Sequence, residues 1–249
     1  MEKISFEQLF YENNDRLVNK WTCYFNVYDR YFEKYRGKEL VILEIGVSQG
    51  GSLSMWKKYF GEGAKIYGID INPKCKELEE EGITIFIGSQ EDRNFLKTVK
   101  TQIPKIDILL DDGGHTMKQQ IVTFEEMFSH VKGDGVYICE DCHTSYWPVY
   151  GGGYLRRGTF IEYSKKLIDK LNAWHYNKMN VDDFTRTVKS ISFYDSMVVF
   201  EKCTMEEPKS ISTGNDSFEV SQNAVTIGDK ISFTIEKILA FLRISSYKR

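Results

Sequence analysis

Residues 43–52 form the stretch that decides the fold, Leu43-Glu44-Ile45-Gly46-Val47-Ser48-Gln49-Gly50-Gly51-Ser52. An apolar, β-branched run, Leu40–Ile45, leads into it, and a segment with helical spacing of apolar residues, Leu53–Tyr59, follows it. Glycines at such a junction permit positive φ and close approach of the backbone to a ligand. The stretch therefore predicts a strand, a ligand-binding loop and a helix in succession.

The same alternation continues along the chain. Four further apolar runs follow, Lys65–Ile69, Ile83–Ile87, Ile106–Leu110 and Gly135–Cys139, and segments with helical spacing lie between them, Pro73–Glu81, Asn94–Thr101 and Gln119–Val131. Nearly continuous apolar runs are typical of strands buried on both faces, and their alternation with helices indicates right-handed parallel βαβ units. Val188–Ser192 and Met197–Lys202, joined by the turn at Tyr194-Asp195, predict an antiparallel hairpin that closes the sheet. We expect a Rossmann-like α/β fold, with a mostly parallel seven-stranded sheet, an antiparallel edge strand and helices on both faces.

Composition narrows the class of protein. The chain has 249 residues and a net charge of −3, which provides no overall attraction to nucleic acid, so no nucleic-acid partner is expected. Its five cysteines are scattered and odd in number. The N-terminus lacks a signal-peptide core, and no run reaches the roughly 18 apolar residues of a spanning helix. These features predict a cytoplasmic protein with free thiols and no integral membrane segment.

Three segments are predicted. Residues 1–36 carry aromatic residues at helical spacing and are interpreted as a helical cap or substrate segment, 37–205 as the catalytic domain, and 206–249 as a tail. The tail ends in an apolar, basic, helix-like segment, Ile231–Arg249. Weak peripheral membrane attachment is one use for this segment, and packing on the domain or at a dimer contact is the favoured alternative.

The loop after the first strand indicates the ligand. An acidic residue precedes a single glycine, unlike the Gly-x-Gly-x-x-Gly of dinucleotide sites. A carboxylate at Glu44 suits the cationic amine of an aminoacyl sulfonium, and Asp70 at the end of the second strand suits the hydroxyls of a ribose. We therefore expect S-adenosylmethionine as cofactor. The predicted cofactor-binding residues are Glu44, Gly46, Ser48, Gly50, Ser52, Asp70, Ile71, Gln90, Asp92 and Asp111.

Acidic residues gather after the fourth and fifth strands. The two segments are Asp111-Asp112-Gly113-Gly114-His115 and Cys139-Glu140-Asp141-Cys142-His143. So many like charges at one edge of a sheet repel unless a cation lies among them, and oxygen ligands favour Mg²⁺, Ca²⁺ or Mn²⁺. We predict Asp112, Glu140 and Asp141 as metal ligands and His115 as a general base. The structural alternative for His115 is a helix cap or a core hydrogen bond.

Other residues in this region have less specific interpretations. His143, Tyr146 and Trp147 are predicted to contact the substrate, although a structural role for His143 is equally consistent with the sequence. Cys139 and Cys142 have the spacing of a redox pair, but Cys139 falls within a buried strand, which disfavours that reading. A zinc site from Cys142, His143 and His115 has poor sequence support.

With these motifs assembled, the sequence resembles the metal-dependent sugar O-methyltransferases of macrolide and polysaccharide tailoring. The matching strings include Glu44-Ile45-Gly46-Val47, Tyr67-Gly68-Ile69-Asp70, Asp111-Asp112-Gly113-Gly114-His115, Glu140-Asp141 and Thr144-Ser145-Tyr146-Trp147. The resemblance implies a class I methyltransferase fold, Mg²⁺ on Asp112, Glu140 and Asp141, His115 as the base for a sugar hydroxyl, and a homo-oligomer. It does not identify the acceptor, because the N-terminal segment differs from that of the family.

The leading hypothesis is thus methyl transfer from S-adenosylmethionine to a sugar hydroxyl of a small-molecule or glycan acceptor. Three alternatives stay open: a methyltransferase acting on a phenol, an amine or a phosphoramidate; an oxygenase; and a non-catalytic cofactor-binding assembly protein. The acidic residues argue against the last, because a scaffold has no need for so many neighbouring like charges.

Overall fold

The computed structural model describes residues 4–218 and contains one seven-stranded sheet. Its strands are β1 (Leu40–Ile45), β2 (Ala64–Asp70), β3 (Ile83–Ile87), β4 (Ile106–Asp111), β5 (Val131–Cys139), β6 (Val188–Tyr194) and β7 (Met197–Lys202). The strand order is β3-β2-β1-β4-β5-β7-β6. The first five strands pair in parallel, whereas β7 runs antiparallel to both β5 and β6. The predicted Rossmann-like architecture, including the closing hairpin, is confirmed.

Seven α-helices surround this sheet within the described residues. They are α1 (Phe6–Tyr11), α2 (Phe25–Phe32), α3 (Gly51–Phe60), α4 (Arg93–Gln102), α5 (Met117–Met127), α6 (Phe160–Leu171) and α7 (Asp183–Thr187). One predicted helix is shorter and tighter than expected, since Pro73–Leu78 forms a 3₁₀ helix. It ends there because Glu79 is extended and Glu80 pairs with Ile83, which starts β3.

The two faces of the sheet carry separate hydrophobic clusters, as the alternation of side chains along a strand requires. On one face, Ile42 and Ile108 pack with α1, α2 and α3, and Trp56 is fully buried there. On the other face, Leu43 and Leu109 pack with α4, α5 and α6. Helices therefore cover both faces, and the carboxyl ends of the parallel strands are left at one edge for a ligand.

The N-terminal helices belong to the first of these clusters. Phe6 of α1 stacks on Trp56 of α3 at 4.7 Å between ring centroids, and Tyr28 of α2 contacts the edge of the same indole. The segment interpreted as a cap thus contributes to the core and, as described below, also to the cleft.

The chain divides into two compact units, residues 1–208 and 209–249. Of the second, the structure describes residues 209–218, which form bends without a helix or strand. The terminal helix predicted for Ile231–Arg249 lies outside the described residues. No helix within residues 4–218 is long and apolar enough to cross a membrane. All five cysteines lie in this part of the chain and are free thiols, as predicted.

Candidate active site

A cleft of about 440 Å³ opens at the carboxyl ends of the parallel strands. Its walls are the loops that follow β1, β2, β3, β4 and β5, together with residues 17–20 of the N-terminal segment. The location follows from topology, because β1 and β4 start neighbouring helices on opposite faces and leave a crevice between their loops.

The loop after β1 lies directly against the loop after β4. Gly46 has φ +95, and a Cβ atom at this position would lie 2.0 Å from the carbonyl oxygen of Asp112. Only glycine permits both the backbone conformation and this contact. Asp70 fixes the two residues that follow Gly46, since its Oδ2 accepts hydrogen bonds from the amides of Val47 and Ser48, both at 2.9 Å. These contacts therefore fix the backbone conformation of the loop after β1.

Gly46→Ala should thus distort the cleft without touching the core. The new methyl group must displace the Asp112 backbone, so we expect the affinity for S-adenosylmethionine to fall at least about tenfold, with a loss of stability of about 1–3 kcal/mol. Isothermal titration calorimetry and thermal unfolding measure the two effects. Gly61→Ala, also at positive φ but with no atom within 4 Å of its Cβ position, is the matched control. If Gly46→Ala bound S-adenosylmethionine with the same affinity as Gly61→Ala does, this account of the loop would be contradicted.

Six of the ten predicted cofactor residues line the cleft: Gly46, Ser48, Ser52, Asp70, Ile71 and Gln90. Ile71 is largely exposed and offers an apolar surface at the rim. Gln90 is buried and joins two loops, because its Nε2 donates to Asp111 and its Oε1 accepts from the Gly114 amide. The other four, Glu44, Gly50, Asp92 and Asp111, do not line it.

Each of these four makes structural contacts within the fold. Glu44 points from β1 towards α3, is fully buried, and accepts a hydrogen bond from Trp56 Nε1 at 2.9 Å. Gly50 is the left-handed N-cap of α3. Asp92 caps α4 by accepting from the amides of Asn94 and Phe95. Asp111 is buried between Gln90 and Tyr137, and burial raises its pKa to about 7.

The acidic residues meet as predicted, because Asp111 of β4 pairs with Cys139 of β5 and each strand is followed at once by a carboxylate. Asp112, Asp141 and His115 bring ligand atoms within 4.8 Å of one another. His115 Nε2 lies 3.4 Å from Asp141 Oδ2 and 3.8 Å from Asp112 Oδ1. His115 and Asp141 both have positive φ, which turns their side chains back towards this point. His115 Nδ1 is buried without a hydrogen-bond partner.

Glu140, the third predicted ligand, is adjacent to this group but engaged elsewhere. It is buried and accepts a short hydrogen bond from the Tyr28 hydroxyl. Its Oε2 also lies 3.0 Å from the ammonium of Lys20. Burial and the nearby Asp112 charge raise the pKa of Glu140, whereas Lys20 and Tyr28 oppose the rise.

The N-terminal segment supplies site residues that the sequence reasoning did not identify. Lys20 contacts Asp112 and Glu140, and Tyr28 contacts Glu140. Tyr24 donates to Asp141 Oδ1 at 2.7 Å and its hydroxyl also meets Ser196 in the β6–β7 turn. Helical spacing alone suggested apolar packing for this segment. The excess of carboxylates at the ends of β4 and β5 was the feature of the sequence that could have indicated a cationic side chain from elsewhere in the chain.

The residues predicted to contact substrate follow Asp141 in the chain and do not line the described cleft. The Tyr146 and Trp147 side chains are about half exposed, and Trp21 is 55% exposed. His143 stands between the two indoles, at 4.6 Å from Trp147 and 5.7 Å from Trp21 between ring centroids, and its Nδ1 meets Ser196 Oγ. These rings form an open aromatic surface, Trp21–His143–Trp147. Among the described residues Cys142 and His143 join no metal-ligand group, and Cys139 is buried in β5.

Comparison with known proteins agrees with this fold. Residues 43–142 match the family model described as a methyltransferase domain. Together with the strand order above, this match identifies the fold as a Rossmann-like methyltransferase fold, with residues 43–142 as the part that matches the methyltransferase domain.

More particularly, the chain resembles sugar O-methyltransferases. It is 32% identical over 197 residues to 8-demethyl-8-alpha-L-rhamnosyl tetracenomycin-C 2'-O-methyltransferase of Streptomyces olivaceus, covering 74% of this chain and 52% of that protein. It is 38% identical over 154 residues to mycinamicin VI 2''-O-methyltransferase of Micromonospora griseorubida, covering 58% and 38%. The chain thus spans about half the length of the first relative and less of the second.

A solved structure gives the same result. The MycE methyltransferase of the mycinamycin biosynthetic pathway, in complex with Mg and SAH, superposes with a TM-score of 0.72 at 30% identity, covering 82% of this chain and 55% of that one. A further structure of that enzyme also contains mycinamycin VI.

Proposed function

We propose that this chain transfers the methyl group of S-adenosylmethionine to a sugar hydroxyl, assisted by Mg²⁺ or another divalent cation. The observation that carries the proposal is the arrangement of the cleft. A glycine loop braced by Asp70 forms one end, and a histidine with two carboxylates forms the other. The two relatives are named as O-methyltransferases of a rhamnosyl tetracenomycin and of mycinamicin VI, and the solved structure of the MycE methyltransferase contains Mg and SAH.

The donor end is assigned to residues that face the cleft. Ser48, Asp70 and Gln90 offer polar groups, and Ile71 offers an apolar surface for the adenine. The Oδ1 and Oδ2 atoms of Asp70 each accept backbone hydrogen bonds, and a carboxylate retains lone pairs for the ribose hydroxyls. Glu44 acts on the donor indirectly in this proposal, through Lys20 and Ser52 at the cleft wall.

The residues at the other end fit a hard divalent cation, because Asp112 and Asp141 offer carboxylate oxygens and the nearby His115 Nδ1 is unpaired. Glu140 is the third ligand in this proposal, although its oxygens contact Tyr28 and Lys20 in the structure. Such a cation, when bound, would lower the pKa of a sugar hydroxyl in contact with it. His115, as neutral imidazole, accepts the proton that this hydroxyl loses. Asp141, 3.4 Å from His115 Nε2, stabilises the imidazolium that results.

The acceptor is assigned to the aromatic surface Trp21–His143–Trp147, with Tyr146 at its margin. Indole rings that are half exposed can pack against the apolar face of a sugar. The surface is linked to Asp141 through Ser196, because Ser196 Oγ contacts both His143 Nδ1 and the Tyr24 hydroxyl that donates to Asp141. The acceptor class that we propose is a glycoside of a natural product or polysaccharide. A cytoplasmic setting and a homo-oligomeric state belong to the same proposal, and light scattering of the purified chain tests the latter.

Trp147→Ala should therefore weaken acceptor binding more than chemistry. We expect the KM for a rhamnosyl glycoside to rise about tenfold, as expected for loss of 1–2 kcal/mol of ring packing, with kcat changed less than about threefold. Steady-state kinetics measures both constants. Trp174→Ala, in the 3₁₀ helix that follows α6, serves as control. If kcat fell and KM did not, Trp147 would act on the reacting groups instead of on acceptor binding.

The proposed function itself is tested by incubating the chain with S-adenosylmethionine that carries a labelled methyl group. The acceptors are a panel of rhamnosyl glycosides, and the control compound is the corresponding phenyl aglycone without the sugar. We expect label in the sugar with Mg²⁺ and none after EDTA. Binding of the donor without methylation of any sugar would refute the sugar assignment. Turnover that is unaffected by EDTA would refute the role of the metal.

A further inference from the structure

Lys20 is buried among the acidic residues of the cleft. Its side chain is 2% exposed, and its ammonium lies 2.5 Å from Asp112 Oδ2, 3.0 Å from Glu140 Oε2 and 3.6 Å from Glu44 Oε1. It also lies 5.9 Å from the centre of the Tyr28 ring. A buried ammonium is stable only when it is paired with charge, and three carboxylates surround this one.

The contacts divide the two oxygens of Asp112 between two partners. Oδ2 binds Lys20, whereas Oδ1 faces His115 Nε2 at 3.8 Å, on the side where Asp141 also lies. Lys20 therefore fixes the rotation of the Asp112 carboxylate and directs Oδ1 into the cleft. In the same way it holds Glu140 Oε2, while Tyr28 holds Oε1.

Lys20 also ends a segment that crosses the donor end of the cleft, residues 13–20, here called the strap. In the middle of the strap, the Arg16 side chain donates to the Leu78 carbonyl at 3.1 Å. At its first residue, the Asn13 side chain donates to the Arg16 carbonyl. The strap lies so close to α3 that a Cβ on Gly51 would be 2.3 Å from the Leu17 carbonyl oxygen. Residues 17–20 form part of the cleft wall.

We propose that Lys20 is a positioning residue that supplies a permanent counter-charge to Glu44, Asp112 and Glu140 and fastens the strap across the donor cleft. Its ammonium keeps the three carboxylates together when no metal ion is bound, and it leaves Asp112 Oδ1 and Asp141 Oδ2, which both face His115 Nε2, to hold one. The inference rests on the proposed function only in assigning those oxygens to a metal.

Lys20→Met tests the charge while nearly preserving the side-chain volume. Without metal, the variant should unfold about 10 °C below wild type, because the buried carboxylates of Glu44 and Glu140 and the partly exposed carboxylate of Asp112 lose their cationic partner. Millimolar Mg²⁺ should raise its unfolding temperature more than it raises that of wild type. Trypsin should cut after Arg16 about tenfold faster, because the strap opens more often. Lys165→Met, which removes the half-exposed partner of Glu162 on α6, is the control and should change none of these.

A double variant keeps the test decisive if Lys20→Met does not fold. In a Glu140→Gln background one carboxylate charge is already absent, so adding Lys20→Met should lower the unfolding temperature by less than half as much as in wild type. An equal loss in both backgrounds, failure of the double variant to fold, or wild-type trypsin and Mg²⁺ responses in Lys20→Met would overturn the proposal. None of these readouts uses an acceptor, so they stand whether or not sugars are methylated.

Discussion

The His115→Ala variant is expected to transfer methyl groups about a thousandfold more slowly than wild type while binding S-adenosylmethionine with unchanged affinity. An aliphatic sugar hydroxyl is a poor nucleophile until it loses its proton, and His115 is the one imidazole that lines the described cleft. Asp141 Oδ2, 3.4 Å from Nε2, orients the ring and favours the protonated product of the transfer. The loss should therefore appear in kcat and not in donor binding.

Single-turnover kinetics with saturating donor measures this loss directly. His130→Ala is the matched control, because that imidazole bonds only the carbonyls of Ile103 and Pro104, away from the cleft. Calorimetry with Mn²⁺ should show that His115→Ala still binds metal, since the carboxylates are intact. A decrease in kcat of less than threefold would show that the base is another group.

The same variant distinguishes sugar acceptors from phenols. A phenol is already acidic, with a pKa near 10, so it depends far less on an added base than an aliphatic alcohol does. If His115→Ala methylated a phenol at near wild-type rate and a sugar not at all, both the sugar assignment and the role of His115 as base would be supported. Equal losses on both acceptors would indicate that His115 positions the acceptor instead.

The sequence predicted the parts of the site that depend on strand order. Because strand ends of a parallel sheet share one edge, the residues after β1, β2, β4 and β5 had to meet, and Gly46, Asp70, Asp112 and Asp141 do so. The strands were also predictable, since strands buried on both faces are nearly continuous runs of apolar residues. Motif and topology therefore sufficed to predict the position of most of the loop after β1 and of the acidic residues after β4 and β5.

The remainder depended on side-chain direction and on contacts distant in sequence. Glu44 occupies a loop-proximal position, yet strand alternation turns it towards Trp56 and away from the cleft. Asp92 satisfies two amides of α4, a local use that its sequence position equally permits. Lys20 reaches Asp112 across 92 residues, and no short motif encodes that contact.

Removing the charge of Asp112 or Asp141 should have the second large effect. Asp112→Asn and Asp141→Asn are each expected to weaken Mn²⁺ binding about a hundredfold and to abolish methyl transfer at micromolar metal, because each removes an oxygen anion from a site of few ligands. Glu140→Gln should weaken it less, about tenfold, since Tyr28 and Lys20 already share the Glu140 oxygens. Excess Mg²⁺ should restore part of the activity of Glu140→Gln.

Asp70→Asn provides the contrast within the same cleft. It removes an acidic charge of the same type at the donor end, so S-adenosylmethionine affinity should fall while Mn²⁺ affinity stays within about twofold of wild type. Calorimetric titrations of each variant with Mn²⁺ and, separately, with the donor separate the two sites. If Asp112→Asn and Asp141→Asn lost activity yet bound Mn²⁺ as wild type does, these carboxylates would act on His115 and the acceptor directly. Asp112 and Asp141 are the carboxylates that line the described cleft at the His115 end. If they did not bind the metal, its ligands would have to be residues outside this lining.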